Sequence, residues 1–293
     1  MSKEPKLRSK SGSIAAYSAL VYVVVIFFAI LAIIPFWYMF MNATWDSYNI
    51  QKGIKLWPKL FKDGRFLGQL TDNWKNLTSR ASFSFARGFW NSLVISVSST
   101  ALTVYFSALT AYGLTVYDFK GRKVIFTIIV GVMMVPTAVN ITGFYRLMHG
   151  MGLLGTKWPL ILPAIAAPAT VFFIKQSLET SLSKEIIEAS RIDGAGEFFT
   201  FNRICLPIML PALATQGIFS FLGSWNNFFA PSILLNDANK TLPLMVAQLY
   251  GDRYQDYGAI NIGLSASVLP IVIVYAFLQK YIIQGVAAGG VKE

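Results

Sequence analysis

The distribution of charge along the chain limits what it can fold into. Six stretches of 17 to 35 residues contain no Asp, Glu, Lys or Arg. A helix needs about 20 mostly apolar residues to cross ~30 Å of hydrocarbon. The chain is therefore predicted to be an all-α polytopic membrane protein with six transmembrane helices. The stretches are Ser11–Trp45, Gly88–Tyr117, Val124–Tyr145, Trp158–Ile174, Ile204–Asn236 and Tyr257–Gln279.

Composition excludes several function classes. The one cysteine, Cys205, cannot form an intramolecular disulfide, and the one histidine, His149, leaves no His/Cys metal cluster. We therefore predict no catalytic residues and no metal site. The net charge of +11 is carried by basic residues between apolar spans, without a basic helix. Anionic lipid of the bilayer, and no nucleic acid, is the expected partner of that charge.

Basic residues also predict the topology. Four of the first ten residues are Lys or Arg, which favours a cytoplasmic N-terminus, and an even number of spans returns the C-terminus to that side. The predicted domains are a cytoplasmic leader (1–14), a transmembrane domain (15–283) and a cytoplasmic tail (284–293). The predicted spans are about 17–41, 88–112, 124–145, 158–178, 208–232 and 260–281, with an outer loop at 42–87.

A polar segment between the fourth and fifth spans, residues 180–207, has the pattern of two helices and a turn. Ser183 can cap a first helix that carries Glu185 in its first turn, and Gly194 can end it. A second short helix is predicted from Glu197 to Arg203. The segment is therefore expected to project into the cytoplasm as a helix-turn-helix hairpin.

The spacing of residues in this segment resembles the EAA loop of binding-protein-dependent ABC importer permeases. The family pattern is E-A-A, three residues, G, nine residues and I-x-L-P. Here Glu188–Ser190, Gly194 and Ile204–Pro207 stand at those positions, and Ser190 replaces the second alanine. Because serine is also small, the replacement keeps a close approach of the two helices possible.

Three further segments, residues 111–123, 224–231 and 284–292, are similar to the carbohydrate branch of that family, and most closely to the smaller permease subunit of maltose-type importers. The resemblance implies a type I permease fold in a bacterial inner membrane. It also implies a larger second permease, an ATPase dimer that holds ATP and Mg, and an extracytoplasmic solute-binding protein. The sequence contains no G-x-x-x-x-G-K-[ST] loop, so the chain is predicted to be neither an enzyme nor a cofactor-binding protein.

The resemblance also implies which residues contact the ATPase. A C-terminal contact is implied for Gly289 and Gly290, with a frayed terminus as the alternative. For Glu188, the alternative is an ion pair with Arg191 on a solvated helix. The implied coupling residues are Glu188, Ala189, Ser190, Arg191, Asp193, Gly194, Leu206 and Pro207.

A group of amide and aromatic side chains in the fifth span could line a sugar path. Amides bind sugar hydroxyls and aromatic rings pack against sugar rings, and amides in hydrocarbon need partners. The alternatives are hydrogen bonding between helices and a sugar site supplied by the larger permease alone. The four residues are Trp225, Asn226, Asn227 and Phe228.

The predicted outer loop is basic. Residues 46–87 include 8 basic and 3 acidic side chains. Such a field concentrates anionic solutes, which favours an acidic, uronate or alginate-type oligosaccharide. An acidic binding protein and anionic lipid headgroups are the alternatives for this charge.

Three other function classes compete with the importer. A permease for another solute, such as a glycerol phosphate, fits the same motif. An ion-coupled secondary transporter usually needs ionisable residues or broken helices at the midplane, and it gives no reason for the hairpin. A membrane enzyme needs acidic or histidine residues at the membrane surface, whereas the spans here carry no charge.

Overall fold

The computed structural model describes residues 10–136, 140–251 and 255–290; parts of the predicted leader and tail lie outside them. Its α-helices are α1 (Lys10–Asn42), α2 (Ser47–Gln51), α3 (Gly68–Thr78), α4 (Phe85–Val116), α5 (Arg122–Val132), α6 (Ile141–Gly150), α7 (Trp158–Ile161), α8 (Pro168–Ser181), α9 (Lys184–Ile192), α10 (Glu197–Phe199), α11 (Leu206–Ile208), α12 (Leu210–Trp225), α13 (Phe229–Leu234), α14 (Leu242–Gln248) and α15 (Tyr257–Gly290). Short 3-10 helices cover Leu162–Ile165 and Leu249–Gly251, and Thr200–Cys205 forms a π-helix.

The described residues contain four helices that are long and apolar enough to cross a membrane. A fifth span can be counted if a bent pair, Glu197–Ile208 with Leu210–Trp225, is taken as one. The chain is thus a multi-pass helical protein, and within the described residues four or five spans can be counted where six were predicted. The four are Tyr17–Asn42, Phe85–Val116, Trp158–Ser181 and Tyr257–Phe277.

The third predicted span, 124–145, is not one helix in the structure. The helix α5 ends at Val132 and α6 begins at Ile141. Pro136 follows the end of α5, and the residue before a proline is forced away from helical geometry. Hydrophobicity alone predicts one continuous helix, whereas the described residues form α5 and α6 as separate helices in this stretch.

The fifth predicted span, 208–232, is both bent and shortened. The chain bends by 79° between Glu197–Ile208 and α12. Pro207 and Pro211 flank the bend, and neither has an N–H to continue a helical ladder. At the other end, α12 stops at Trp225, so residues 226–228 lie between helices.

The chain divides into two compact units. The first unit comprises residues up to 79 together with 255–265. Its loop contains a two-stranded antiparallel hairpin, β1 (Phe61–Lys62) and β2 (Arg65–Phe66), which the all-α prediction missed. Asp63 and Gly64 connect the strands with φ of 51° and 74°, as the tight turn of a two-residue hairpin requires.

Hydrogen bonds from α3 hold together the loop that follows α1 in the first unit. The buried amide of Asn73 donates to the carbonyls of Ala43 and Trp45, at 2.8 and 2.9 Å, and accepts from Gln69 at 2.9 Å. Gly258 lies against the same amide, and a Cβ there would come within 2.6 Å of it. The end of α1 and the start of α15 are thereby fixed to α3.

The second unit comprises residues 80–136, 140–251 and 266–290. Its centre is α4, which packs against α8 and α12. The face of α4 toward its neighbours is small and polar, and Ser99 and Thr103 donate to the carbonyls of Leu160 and Ala164, at 3.1 and 3.0 Å. Small side chains bring helix backbones close together, as is usual between membrane helices.

Replacing Asn73 with alanine is predicted to destabilise the protein. The change leaves the buried carbonyl of Ala43 and the partly buried carbonyl of Trp45 without their amide donor, at a cost of about 1–3 kcal/mol. The thermal midpoint of the purified protein in detergent should fall. The exposed Gln51 on α2 is the matched control, since Gln51→Ala removes an amide that no buried group needs. Equal midpoints for the two variants would contradict the role given to Asn73.

Candidate functional site

The segment with the family motif, residues 183–207, is here called the α9–α10 segment. Its first helix, α9, begins after Ser183 as predicted, although the serine hydroxyl makes no capping hydrogen bond. The helix ends at Ile192, and Gly194 follows with φ of 79°. This left-handed conformation strains a residue with a side chain, which accounts for glycine at the turn.

The second half of the segment differs from the predicted single helix, Glu197–Arg203. Only Glu197–Phe199 is α-helical, and Thr200–Cys205 forms a wider π-helical turn. The ring of Pro207 would clash with the carbonyl of Arg203 in a regular helix. A wider turn before the proline relieves that clash.

Ser190 joins the two halves of the segment. Its side chain is buried, and its hydroxyl is 2.7 Å from the hydroxyl of Thr200. Thr200 also donates to the carbonyl of Gly196, at 3.2 Å. Ser190, the residue that departs from the family pattern, therefore connects α9 to the π-helical turn.

Glu197 connects the segment to the end of α4, a contact that the sequence analysis did not identify. Its carboxylate accepts hydrogen bonds from Arg191 Nε at 2.8 Å, from Tyr112 at 3.3 Å and from Tyr117. The bond to Glu197 raises the pKa of Arg191, so the guanidinium stays charged. Arg191 thus pairs with Glu197 and not with Glu188, the alternative partner on α9.

The exposed face of the segment combines carboxylates with exposed apolar side chains. Glu188 and Ala189 are exposed on α9, and Glu188 lines a groove that also contains Arg191. Ile192 is 85% exposed and Phe198 71% exposed. Apolar side chains this exposed in a polar segment are typical of a protein contact.

The inner surface of the segment is buried against membrane helices. Ile187, Phe201 and Cys205 belong to one buried cluster with residues of α4, α8 and α12. Leu206 packs against this cluster, while Pro207 is exposed. One face of the segment is therefore part of the membrane core and the other is open.

The residues proposed for a sugar path occupy different environments. Trp225 is 1% exposed, donates to the carbonyl of Ser267 at 3.1 Å and stacks on Phe221. Asn226 and Phe228 are exposed beyond the end of α12.

Asn227, the fourth of these residues, lines a small polar pocket. The pocket also contains Ser99, Ser224 and Thr241. The Asn227 Oδ1 atom accepts a hydrogen bond from the Ala230 N–H at 3.3 Å. Asn227 is therefore the one of these four residues that lines this pocket.

The remaining predicted site residues lie at the end of α15. Gly289 and Gly290 are the last residues of this helix, and residues 291–293 lie outside the described part of the chain. Among the described residues, no group of three or more His, Cys, Asp or Glu side chains could hold a metal ion.

Comparison with known proteins identifies relatives across most of the chain. The arabinooligosaccharides transport system permease protein AraQ of Bacillus subtilis is 39% identical over 75% of this chain and 78% of that protein. The lactose transport system permease protein LacG of Rhizobium radiobacter is 31% identical over 90% of this chain and 92% of that protein.

Solved structures share the fold. One chain in the crystal structure of a bacterial ABC transporter involved in the import of the acidic polysaccharide alginate superposes with a TM-score of 0.74. The match covers 94% of this chain and 99% of that one, at 22% sequence identity. Residues 103–288 match the family described as binding-protein-dependent transport system inner membrane component. The chain belongs to this family of ABC importer permeases.

Proposed function

We propose that this chain is one of two permease subunits in an ATP-driven oligosaccharide importer, and that its α9–α10 segment couples the membrane helices to an ATPase subunit. The proposal rests on how the segment is buried: one of its faces lies in the core and the other is exposed. Ile187 and Phe201 lie in the core with α4, α8 and α12, while Glu188, Ile192 and Phe198 remain open. A partner that binds the open face can move the membrane helices as one body.

Contacts at the turn support transmission of movement. The ion pair of Arg191 with Glu197 and the hydrogen bond of Tyr117 to Glu197 fix the segment to the end of α4. The left-handed Gly194 lets the chain reverse without a side chain at the tip. A rigid segment transmits force better than a flexible one, since no displacement is absorbed within it.

The partners of this proposal are a second permease, an ATPase dimer that binds ATP and Mg, and a solute-binding protein outside the membrane. The exposure of α1 supports a contact with another subunit or with lipid, because no residue in the most hydrophobic part of this helix is buried within this chain. The proposed orientation places the α9–α10 segment and both termini in the cytoplasm. Hydrolysis would take place on the partner, and this chain would catalyse no bond chemistry.

The oligosaccharide class is supported by the relatives, which are named as permeases for arabinooligosaccharides and lactose. An acidic oligosaccharide is the finer proposal, and it is supported by the excess of basic residues in 46–87. Part of that charge is paired, since Lys62 and Arg65 both bind Asp72, whose pKa falls to about 2 because of these bonds. If the solute is an acidic oligosaccharide, uronate oligomers should stimulate the ATPase and neutral oligosaccharides should not.

Two further parts of the proposal concern the solute and the tail. Asn227 is the path residue that we favour for a solute hydroxyl, because it lines a pocket with Ser99 and Ser224. The burial of Trp225 favours a packing role for that residue. The contact of Gly289 and Gly290 with the ATPase stays a prediction from the family resemblance.

Replacing Glu188 with alanine is predicted to uncouple the importer. A carboxylate that accepts hydrogen bonds from a partner contributes about 1.5–3 kcal/mol, so removing it should weaken ATPase association roughly 10- to 100-fold. The measurement is co-purification of the tagged chain with the second permease and the ATPase, followed by sugar-stimulated ATP hydrolysis.

The control is Glu185→Ala, which removes an exposed carboxylate from the first turn of the same helix. It should leave co-purification and stimulated hydrolysis close to wild type. A chain that purifies without an ATPase, or a Glu188→Ala variant that behaves as Glu185→Ala does, would overturn the coupling role.

Ser190 gives a second prediction. Ser190→Ala should change stability by no more than about 1 kcal/mol, because Thr200 keeps its bond to the Gly196 carbonyl. Ser190→Leu should cost about 1–3 kcal/mol, since a larger, apolar side chain replaces a buried hydroxyl at the contact between α9 and the π-helical turn. Thermal midpoints of the two purified variants test this. A Leu variant as stable as the Ala variant would show that α9 and the π-helical turn do not pack as described.

A further inference from the structure

A basic pocket lies at the junction of α4 and α5, and no residue of the α9–α10 segment lines it. It is lined by backbone and side chains of the connection between the two helices and by Lys175 of α8. Four cationic side chains line it and only one acidic side chain, Asp118, does so. The cationic residues are Lys120, Arg122, Lys123 and Lys175.

Two of the four cations lack a counter-charge. Arg122 binds Asp118 at 2.6 Å, and Lys175 binds Glu179 while its Nζ lies 4.4 Å from the centre of the Phe126 ring. Lys120 and Lys123 are exposed and make no ion pair with any described residue. The pocket therefore keeps two unpaired positive charges, which attract an anion.

An apolar surface continues from the pocket along α5. This helix buries none of its residues, and Val124, Ile125 and Ile128 are 62%, 45% and 59% exposed. Phe126 stacks on Phe172 of α8 with ring centres 6.0 Å apart, so the apolar surface is held in place. Unpaired cations at one end of an exposed apolar helix match a molecule with an anionic head and hydrocarbon chains.

We propose that the α4–α5 pocket binds the phosphate headgroup of an anionic phospholipid, with the acyl chains along the exposed face of α5. Lys120 and Lys123 supply the charge that selects an anionic headgroup over a zwitterionic one. Arg122 and Asp118 also line the groove that contains Glu188, so the bound lipid lies next to the α9–α10 segment. Lipid of this class would support the position of α5 beside the segment.

The test is native mass spectrometry of the full-length chain purified in detergent, with added phosphatidylglycerol or phosphatidylcholine. We expect phosphatidylglycerol to remain bound to the wild type and to bind the Lys120→Ser/Lys123→Ser variant on the order of tenfold more weakly. Phosphatidylcholine should show no difference. The control, Lys52→Ser/Lys75→Ser, removes the same charge from exposed positions of the outer loop and should bind as the wild type does.

Two further comparisons show whether the lipid is held by the positive charge of the two lysines and by its acyl chains. A Lys120→Arg/Lys123→Arg variant keeps the charge and should retain the lipid, which separates charge loss from misfolding. Inorganic phosphate at equal concentration should not displace the lipid. Equal loss of lipid in the control, loss in the arginine variant, or displacement by phosphate alone would each overturn the assignment.

Discussion

The α9–α10 segment shares one buried core with the membrane helices, and the arrangement of the second unit depends on this core. Ile187, Phe201 and Cys205 of the segment lie among residues of α4, α8 and α12. Burying a side chain the size of isoleucine or phenylalanine contributes about 1.5–3 kcal/mol. Separating the segment from the helices would expose several such side chains to water. The segment is therefore a polar extension of the membrane domain and not a flexible loop attached to it.

Polar contacts fix the position and orientation of the segment against this core. The carboxylate of Glu197 receives Arg191 from α9 and Tyr117 from the end of α4, and the hydroxyls of Ser190 and Thr200 join the two halves. Apolar packing alone would allow the segment to slide, whereas hydrogen bonds depend on direction. The same contacts leave the carboxylate of Glu188 without an ion-pair partner among the described residues, which keeps it open for another protein.

The local pattern predicted the start of α9, its end near Gly194 and the apolar spans of α1, α4 and α15. The helices depart from the predicted spans near prolines, since a charge-free stretch such as the one that contains Pro207 and Pro211 predicts one span, while the missing N–H groups of these prolines allow the chain to bend there. The hairpin at Asp63–Gly64 was missed because its strands have two residues each.

The contact of Glu197 with Tyr117 was also not predicted. These two residues are 80 positions apart, and no local spacing connects them. Their pairing depends on how α8 and α12, on either side of the segment, pack against α4, which is a property of the whole fold. The sequence motif located the segment, but it could not identify the residues that hold the segment to the membrane helices.

Pulsed electron paramagnetic resonance on the assembled transporter tests the central claim most directly, with spin labels at Lys184 of α9 and Thr110 of α4. Both positions are exposed, and the one native cysteine of this chain is fully buried, so labelling of this chain is confined to the introduced sites when it is labelled before assembly. If the segment and α4 share a rigid core, the distance between the labels stays the same with and without ATP. A distance that changes when ATP binds would show that the segment moves independently of the helices, and would contradict the account.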